Sequence, residues 1–387
     1  MHDCDVVIIG AGPSGATAAY HCANSGLDAL FVDKSQFPRF KECGGGLSER
    51  AMSYLDFPVD YELIERNVYG VRVRFGNEAI EVLRPFRIAG LVTRSRFDHF
   101  LMQQAVKAGA KFLEGEKVTD LQISGEYADI TTNKAHIRAK LVIGADGSQG
   151  ITSRYIRDTV RKSKYCIGLV TEIPADNSGM DKQILNSVEI HFGITNMGYG
   201  WVFPHEGYFN VGIAGIADRL RNPKKILTNF LRERGFHGQY RFYAHRIPMG
   251  GEQKKKVADR IILVGDAAGF VDSFLGEGIA YAILSGKIAA RVCHNALQNN
   301  QGWREDSLSI YNEECYKQFE RDLKCSLMLA KLVHRFPKFF SQLMASDESV
   351  LGRYLDIPAN KLTYREYLRW LKRKVPGFLI QRAMKSI

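Results

Sequence analysis

A chain of 387 residues, 45% hydrophobic and 25% charged, has core enough for two or three packed units, and this ordinary balance excludes a disordered or fibrous protein. No stretch approaches the roughly 18 to 20 uncharged apolar residues of a membrane-spanning helix. The net charge of +11 suits nucleic acid, acidic substrates or an anionic lipid surface, but no aromatic-and-basic RNA motif or helix-turn-helix pattern supports nucleic acid, which is not expected as a partner.

The first apolar run, Val6 to Ile9, has the character of a strand buried on both faces, as in a parallel sheet. It breaks into Gly10-Ala-Gly12-Pro13-Ser14-Gly15 and resumes as a small-residue helix. Gly10 permits a sharp turn, Gly12 lets bare backbone approach a pyrophosphate, and Gly15 lets the helix pack close to the strand. The helix start offers N–H groups and a positive dipole end to phosphates. Asp33 closes a second strand, Ala29 to Val32, at the distance where an acid takes adenosine ribose hydroxyls. This stretch predicts a dinucleotide, NAD or FAD. With the nucleotide-binding strand as the first apolar stretch, no signal peptide is expected, and the cytoplasm is the expected location.

Next comes Phe37-Pro-Arg-Phe-Lys-Glu-Cys43-Gly44-Gly45-Gly46, read as a loop leading to a helix start, with unprotected backbone beside something flat or bulky and Cys43 at its edge. Val71 to Phe75 and Ala79 to Val82 alternate as a hairpin that opens a second sheet. Arg94 stands at the start of a helix running to about Gly109, within reach of a cofactor pyrophosphate. Lys111 to Leu113 and Lys117 to Leu121 read as short strands of the nucleotide domain, followed by a hairpin over Tyr127 to Ile137. The apolar strand Leu141-Val-Ile-Gly144 then ends in Ala145-Asp146-Gly147, a carboxylate at the sheet edge where open parallel sheets bind ligands.

From Cys166 to Arg246 the strands lengthen and alternate, predicting a mostly antiparallel sheet suited to floor a substrate cavity. Within it, Tyr199, Trp201 and Phe203 share one strand face, and Gly198 and Gly200 are expected to clear space on the other. Arg260-Ile-Ile-Leu-Val-Gly265-Asp266 repeats the strand-to-acid pattern, with Gly276-Glu277-Gly278-Ile279 opening a helix to about Cys293. Asp266 suits a polyol hydroxyl, which a flavin ribityl chain presents, and the helix dipole suits the flavin N1/C2 edge. Three spaced nucleotide stretches therefore select FAD over NAD. The seven cysteines are odd in number and lack a C-x-x-C pair, so neither a disulfide framework nor a metal site is indicated.

The chain turns helical from Ser307. Leu329, Leu332, Val333, Phe336, Phe340, Leu343 and Met344 recur at helical spacing, with Pro337 expected to kink or split the segment. Residues 361–387 carry eight Lys or Arg against one acid, interleaved with Tyr364, Tyr367, Leu368, Trp370, Leu371, Phe378, Leu379 and Ile380, the pattern of an amphipathic end resting on anionic lipid.

Over roughly residues 1 to 300 the chain resembles the geranylgeranyl reductase family, within the flavoproteins of the para-hydroxybenzoate hydroxylase type. The resemblance rests on Gly10–Gly15, Asp33, Cys43-Gly-Gly-Gly46, Arg94-x-x-Phe97-Asp98, Gly144-Ala-Asp-Gly147, Tyr199-x-Trp201-x-Phe203-Pro204 and Gly265-Asp266. The glycine run after Cys43 and the aromatic stretch are its specific parts. It implies an α/β fold: a Rossmann-like FAD-binding domain with a parallel sheet (1–60, 90–160 and 255–300), an antiparallel-sheet substrate domain (61–89 and 161–254) and a helical, basic C-terminal region (301–387). It implies FAD contacts from Gly10, Gly12, Pro13, Ser14, Gly15, Asp33, Lys34, Gly44, Gly46, Arg94, Val118, Asp146, Gly147, Asp266, Gly276, Gly278 and Ile279. Tyr199, Trp201 and Phe203 would line or support a lipid cavity. The implied activity is saturation of prenyl double bonds on a lipid, quinone or related isoprenoid by hydride from flavin N5, with Cys43 as proton relay or positioning group and Tyr199 or a water chain sharing that role. No second complete G-x-G-x-x-G unit follows a strand, so NAD(P)H docking transiently or a ferredoxin-type carrier is expected to bring electrons. A flavin monooxygenase or halogenase of the same fold, and a non-catalytic flavin carrier, are the alternatives. A membrane-borne substrate places the protein on the inner face of the membrane.

Overall fold

The computed structural model describes residues 1–157, 165–177, 184, 186–252, 254–298 and 302–384, with side chains as far as 376. The chain divides into two compact units.

The first unit comprises Met1–Lys41, Thr93–Arg161 and Ile247–Arg321. Its sheet runs in the order Val257–Ala258, Ile261–Leu263, His136–Gly144, His2–Ile9, Ala29–Asp33, Lys111–Glu114. All pairings after the first are parallel. The hairpin Val118–Ser124 and Tyr127–Thr132 adds antiparallel to the early residues of His136–Gly144. Val6, Val7, Ile8, Phe31, Leu141, Val142 and Ile143 are fully buried, the two-sided burial that an unbroken apolar run demands. Helix Pro13–Asn24 packs on helix Ile279–Gln298 so closely that a Cβ at Gly286 would sit 2.4 Å from Ser14 O.

The second unit comprises Glu42–Val92, Lys162–Arg246 and Asp322–Ile387. The Cys43 stretch falls here, although the domain boundary was expected near residue 60. The reason is local: Gly46–Ser48 is a short strand, paired with Ala89–Leu91, followed by a helix over Glu49–Ser53. The seven-stranded sheet runs Tyr243–Pro248, Tyr165–Pro174, Tyr208–Ile216, Tyr199–Pro204, Ser187–Phe192, Gly70–Phe75, Glu78–Leu83. Only the Ser187–Phe192/Gly70–Phe75 pairing is parallel among those with a described register.

One face of this sheet packs on helix Pro223–Glu233 through Leu169, Val202, Val211, Ile213, Leu227 and Phe230. Phe230 fills the space opposite the aromatic strand: a Cβ at Gly200 would meet its ring at 3.0 Å. The expected opening beside Gly198 and Gly200 is therefore closed. The C-terminal helices follow the sequence pattern in part. Pro337 does split the apolar stripe, ending one helix at Arg335 and starting Pro337–Ser346 as its first residue. Leu332 and Phe336, however, face out at 38% and 51% exposure. In the tail, Tyr364, Tyr367 and Leu371 are buried in their own unit, Tyr364 and Tyr367 meeting Tyr354 edge-to-face, so the expected lipid-facing side of residues 361–376 is internal. Phe378, Leu379, Ile380, Arg382 and Lys385 lie beyond the described side chains. All seven cysteines are free.

Candidate functional site

In the first unit, the turn after His2–Ile9 is shaped by steric contact. Gly10 has φ +104°, and a Cβ there would lie 2.4 Å from Ala145 O, so the ends of strands His2–Ile9 and His136–Gly144 meet at bare backbone. A Cβ at Gly15 would lie 1.8 Å from Gly10 O. Gly12 differs. Its φ is −70°, and among the described residues the one atom near a Cβ there would be Arg39 Nη2 at 3.6 Å. Space is thus kept at the uncapped N-terminus of helix Pro13–Asn24, where a pyrophosphate would sit. Asp33 Oδ2 accepts from Ala11 N at 2.8 Å and Oδ1 from Ser35 N at 2.9 Å, which fixes the carboxylate beside the glycine turn.

Arg94 is placed by a bidentate bond to Asp98 (2.7 and 2.8 Å) one helical turn on. Asp98 is fully buried and also takes Arg39 Nη2 at 3.1 Å. Two guanidinium groups therefore share one carboxylate, leaving a net positive charge beside Gly12. Nη1 of Arg39 is buried with no hydrogen-bond partner among the described residues. A pyrophosphate oxygen would satisfy it, so the donor set fits the diphosphate of FAD. Sequence reasoning missed Arg39; the Pro38-Arg39 step that directs it back has no local pattern to announce it.

The other predicted nucleotide residues occupy sheet edges and turns. Asp146 accepts from Thr152 N (3.0 Å) and Thr152 Oγ1 (2.5 Å), so it also organises helix Ile151–Ile156, and burial pushes its carboxyl above the usual range. Gly147 is left-handed at φ +81° with nothing near a Cβ. Asp266 lies in the short turn of helix Gly265–Ala268, and a Cβ at Gly278 would be 3.5 Å from its Oδ1. Gly276 is also left-handed, and Ile279 begins the long helix. Lys34 is exposed, and Val118 starts the antiparallel hairpin of Val118–Ser124 with Tyr127–Thr132.

In the second unit the two most specific stretches of the sequence meet. Trp201 pairs with Gly212 across the sheet, and a Cβ at Gly212 would collide with the indole at 2.2 Å, so the ring lies flat on that strand. Its Nε1 donates to Asn210 Oδ1 at 2.9 Å, and Asn210 Nδ2 donates to Cys43 O at 3.0 Å. A Cβ at Gly44 would touch Phe203 at 3.0 Å, and one at Gly46 would meet the same ring at 3.7 Å. The glycine run is therefore seated on aromatic side chains. His205, 1% exposed, holds the next carbonyl: Nε2 donates to Gly44 O at 3.0 Å, while Nδ1 is hydrogen-bonded to Glu65 Oε2 at 2.7 Å. Gly45 N donates to Cys43 Sγ at 3.4 Å. Tyr199 and Phe203 are half-buried and Trp201 is 8% exposed. A separate cavity of about 310 Å³ in this unit is lined by residues including Arg66, Tyr69, Leu91 and Asn186, not by the three aromatics. Among the described residues, no group of three or more His, Cys, Asp or Glu side chains could hold a metal ion.

The FAD binding domain family matches residues 3–181. An uncharacterised protein of Methanosarcina barkeri is 32% identical over 92% of this chain and 89% of its own length. A digeranylgeranylglycerophospholipid reductase of Methanococcus aeolicus is 30% identical over 94% of this chain and 95% of its own. Among solved structures, a geranylgeranyl bacteriochlorophyll reductase-like protein from Thermoplasma acidophilum superposes with a TM-score of 0.82 at 24% identity, covering all of both chains. The flavin-dependent brominase Bmp2 gives 0.73 at 20% identity over 96% of this chain and all of its own.

Proposed function

Because the chain belongs to the geranylgeranyl reductase family of FAD-dependent oxidoreductases, we propose that it saturates the double bonds of geranylgeranyl chains on a glycerophospholipid, as the names of its relatives suggest. The observation that carries this reading is the seating of the Cys43 loop on the Tyr199-x-Trp201-x-Phe203 strand, which joins the thiol and the apolar surface in one unit.

When bound, FAD supplies a hydride from N5 of its reduced form. The helix start at Gly12, with Arg39 held by Asp98, takes the pyrophosphate; Asp33 orients the adenosine ribose and Asp266 a ribityl hydroxyl. An isolated alkene offers no carbonyl to spread charge, so the reaction needs a dry apolar wall and a nearby acid. Tyr199, Trp201 and Phe203 provide the wall. Cys43 holds the proton at Sγ, and the Gly45 N–H steadies the sulfur once the proton has left. A nicotinamide or a ferredoxin-type carrier returns electrons.

The test is anaerobic incubation of the reduced protein with a geranylgeranylated phospholipid, followed by mass spectrometry. Two added hydrogens per double bond are expected, with Cys43→Ser slowing turnover by about 10- to 100-fold. A parallel incubation in air with bromide keeps the rivals in view: an added oxygen or halogen there would place the protein with the brominase-like enzymes, and lipid unaltered in both, beside flavin that an added one-electron acceptor reoxidises, would leave only a carrier.

A further inference from the structure

Helices Arg321–Arg335 and Pro337–Ser346 bury Leu329, Val333, Phe340 and Leu343 within the second unit. Their other side carries Met328, Leu332 and Phe336, at 48%, 38% and 51% exposure. Met328 and Leu332, four residues apart in the first helix, share one row, and Phe336, at the junction between the two helices with its N–H bonded to Leu332 O at 3.0 Å, stands at the end of it. Lys324, Lys331, Arg335 and Lys338, all exposed, flank that row, and the Arg335 guanidinium lies over the Phe336 ring at 5.7 Å. From Leu323 to Ser346 there is no Asp or Glu.

We propose that this face docks on an anionic lipid bilayer, with Met328, Leu332 and Phe336 entering the headgroup boundary and the four cations at the level of the phosphates. Charge decides among occupants. A second copy related by two-fold symmetry would bring the cations against themselves. A nucleic-acid backbone would use the cations and leave the apolar row in water. Only a surface that is anionic outside and apolar just beneath takes both. The proposal rests on the prenyl-lipid reading for the choice of a membrane, and it moves the docking face from the tail, whose aromatic side is internal, to the preceding helices.

The test is co-sedimentation of the full FAD-loaded chain with phosphatidylcholine vesicles, with and without phosphatidylglycerol, at low and high salt. Retention is expected only with phosphatidylglycerol and should fall as salt rises. K331E/R335E and M328S/L332S/F336S should each weaken it by at least about tenfold, with wild-type circular dichroism and thermal melts reporting that both variants are folded. K372E/R373E, in exposed tail positions, should lose much less. Absence of wild-type retention, full retention by both face variants, or loss confined to the tail variant would overturn the proposal. So would self-association of the wild type abolished by M328S/L332S/F336S, which would make a second copy the occupant. Reduction of a short water-soluble prenyl substrate, assayed in parallel, separates the readings: activity without vesicle binding sinks the docking face alone, and binding without activity sinks the reductase alone.

Discussion

A methyl group added at Gly12 and one added at Gly15 probe two different demands on the same turn. At Gly15 it would lie 1.8 Å from a backbone carbonyl that cannot move away, so Gly15→Ala is expected to cost more than about 3 kcal/mol and to yield unstable, colourless protein. At Gly12 the backbone suits alanine, and the nearest atom is the end of a flexible arginine at 3.6 Å. Gly12→Ala should therefore melt close to the wild type while losing flavin, because the methyl occupies the space left for the pyrophosphate. Thermal melts of apoprotein beside flavin titrations decide the matter: equal flavin affinity in Gly12→Ala would mean that the cofactor does not use this space. His205 poses a related question for the Cys43 loop. His205→Ala leaves Gly44 O and the 6% exposed Glu65 without their shared partner, a loss of about 2 to 4 kcal/mol. Turnover should fall with flavin content retained, since the bonds broken all lie in the second unit, and His205→Gln should recover part of the rate. Loss of flavin in step with turnover would argue against a positioning role.

At the level of elements, the buried carboxylate of Glu189 ties strands Ser187–Phe192 and Gly70–Phe75 to helix Pro223–Glu233. Arg72 reaches it at 3.0 Å, Arg234 at 2.9 Å and His191 at 3.0 Å. Burial alone would push the carboxyl up, but the His191 hydrogen bond, the Arg234 charge and the Arg72 bond hold it at about 2. A folded pKa below the unfolded value means stability that is complete above about 4.5 and lost as pH falls toward 2, amounting to about 3 kcal/mol. His191 adds a loss of the same sign that begins as pH falls through its ordinary value, because burial keeps it neutral in the fold while the unfolded chain takes up a proton. Acid denaturation should thus be steep between pH 4.5 and 2, and Glu189→Gln should flatten that part of the curve while lowering stability at neutral pH. An unchanged acid limb would show that the cluster does not govern it. None of this network was legible in the sequence, for a physical reason. The strands Ser187 to Phe192 and Val71 to Phe75 announce themselves by alternation, but a charge that is buried because another arrives from a distant segment leaves no periodic trace. The Trp201–Asn210 bond was closer to legible, since Asn210 is a polar residue inside an apolar strand run that pairs directly with the aromatic strand. The glycine turn, the aromatic face and the acid-tipped strands could be read because backbone geometry fixes those residue types locally; Arg39, His205 and the Phe230 plug depend on tertiary neighbours.

For the whole molecule, connectivity matters as much as either core. Each unit is assembled from three separate segments, and the chain passes between units at 41/42, 92/93, 161/162, 246/247 and 321/322. Unfolding one unit alone would leave two of its three segments as loops closed at both ends by the other, the third being a terminal tail, which lowers the entropy gained and opposes separate melting. Calorimetry should accordingly show one transition for the apoprotein. FAD at about 100 times its dissociation constant adds roughly 2.7 kcal/mol to the native state. Spread over an unfolding entropy of about 2 cal/mol/K for each of the 387 residues, that shifts a single transition by roughly 3 °C. If only the first unit responded, the heat moving with flavin would be about half of the total and the shift correspondingly larger. Two resolved transitions, of which flavin moves one, would show that the five crossings leave the units thermodynamically independent, and would make the nucleotide-binding unit a separable carrier of FAD.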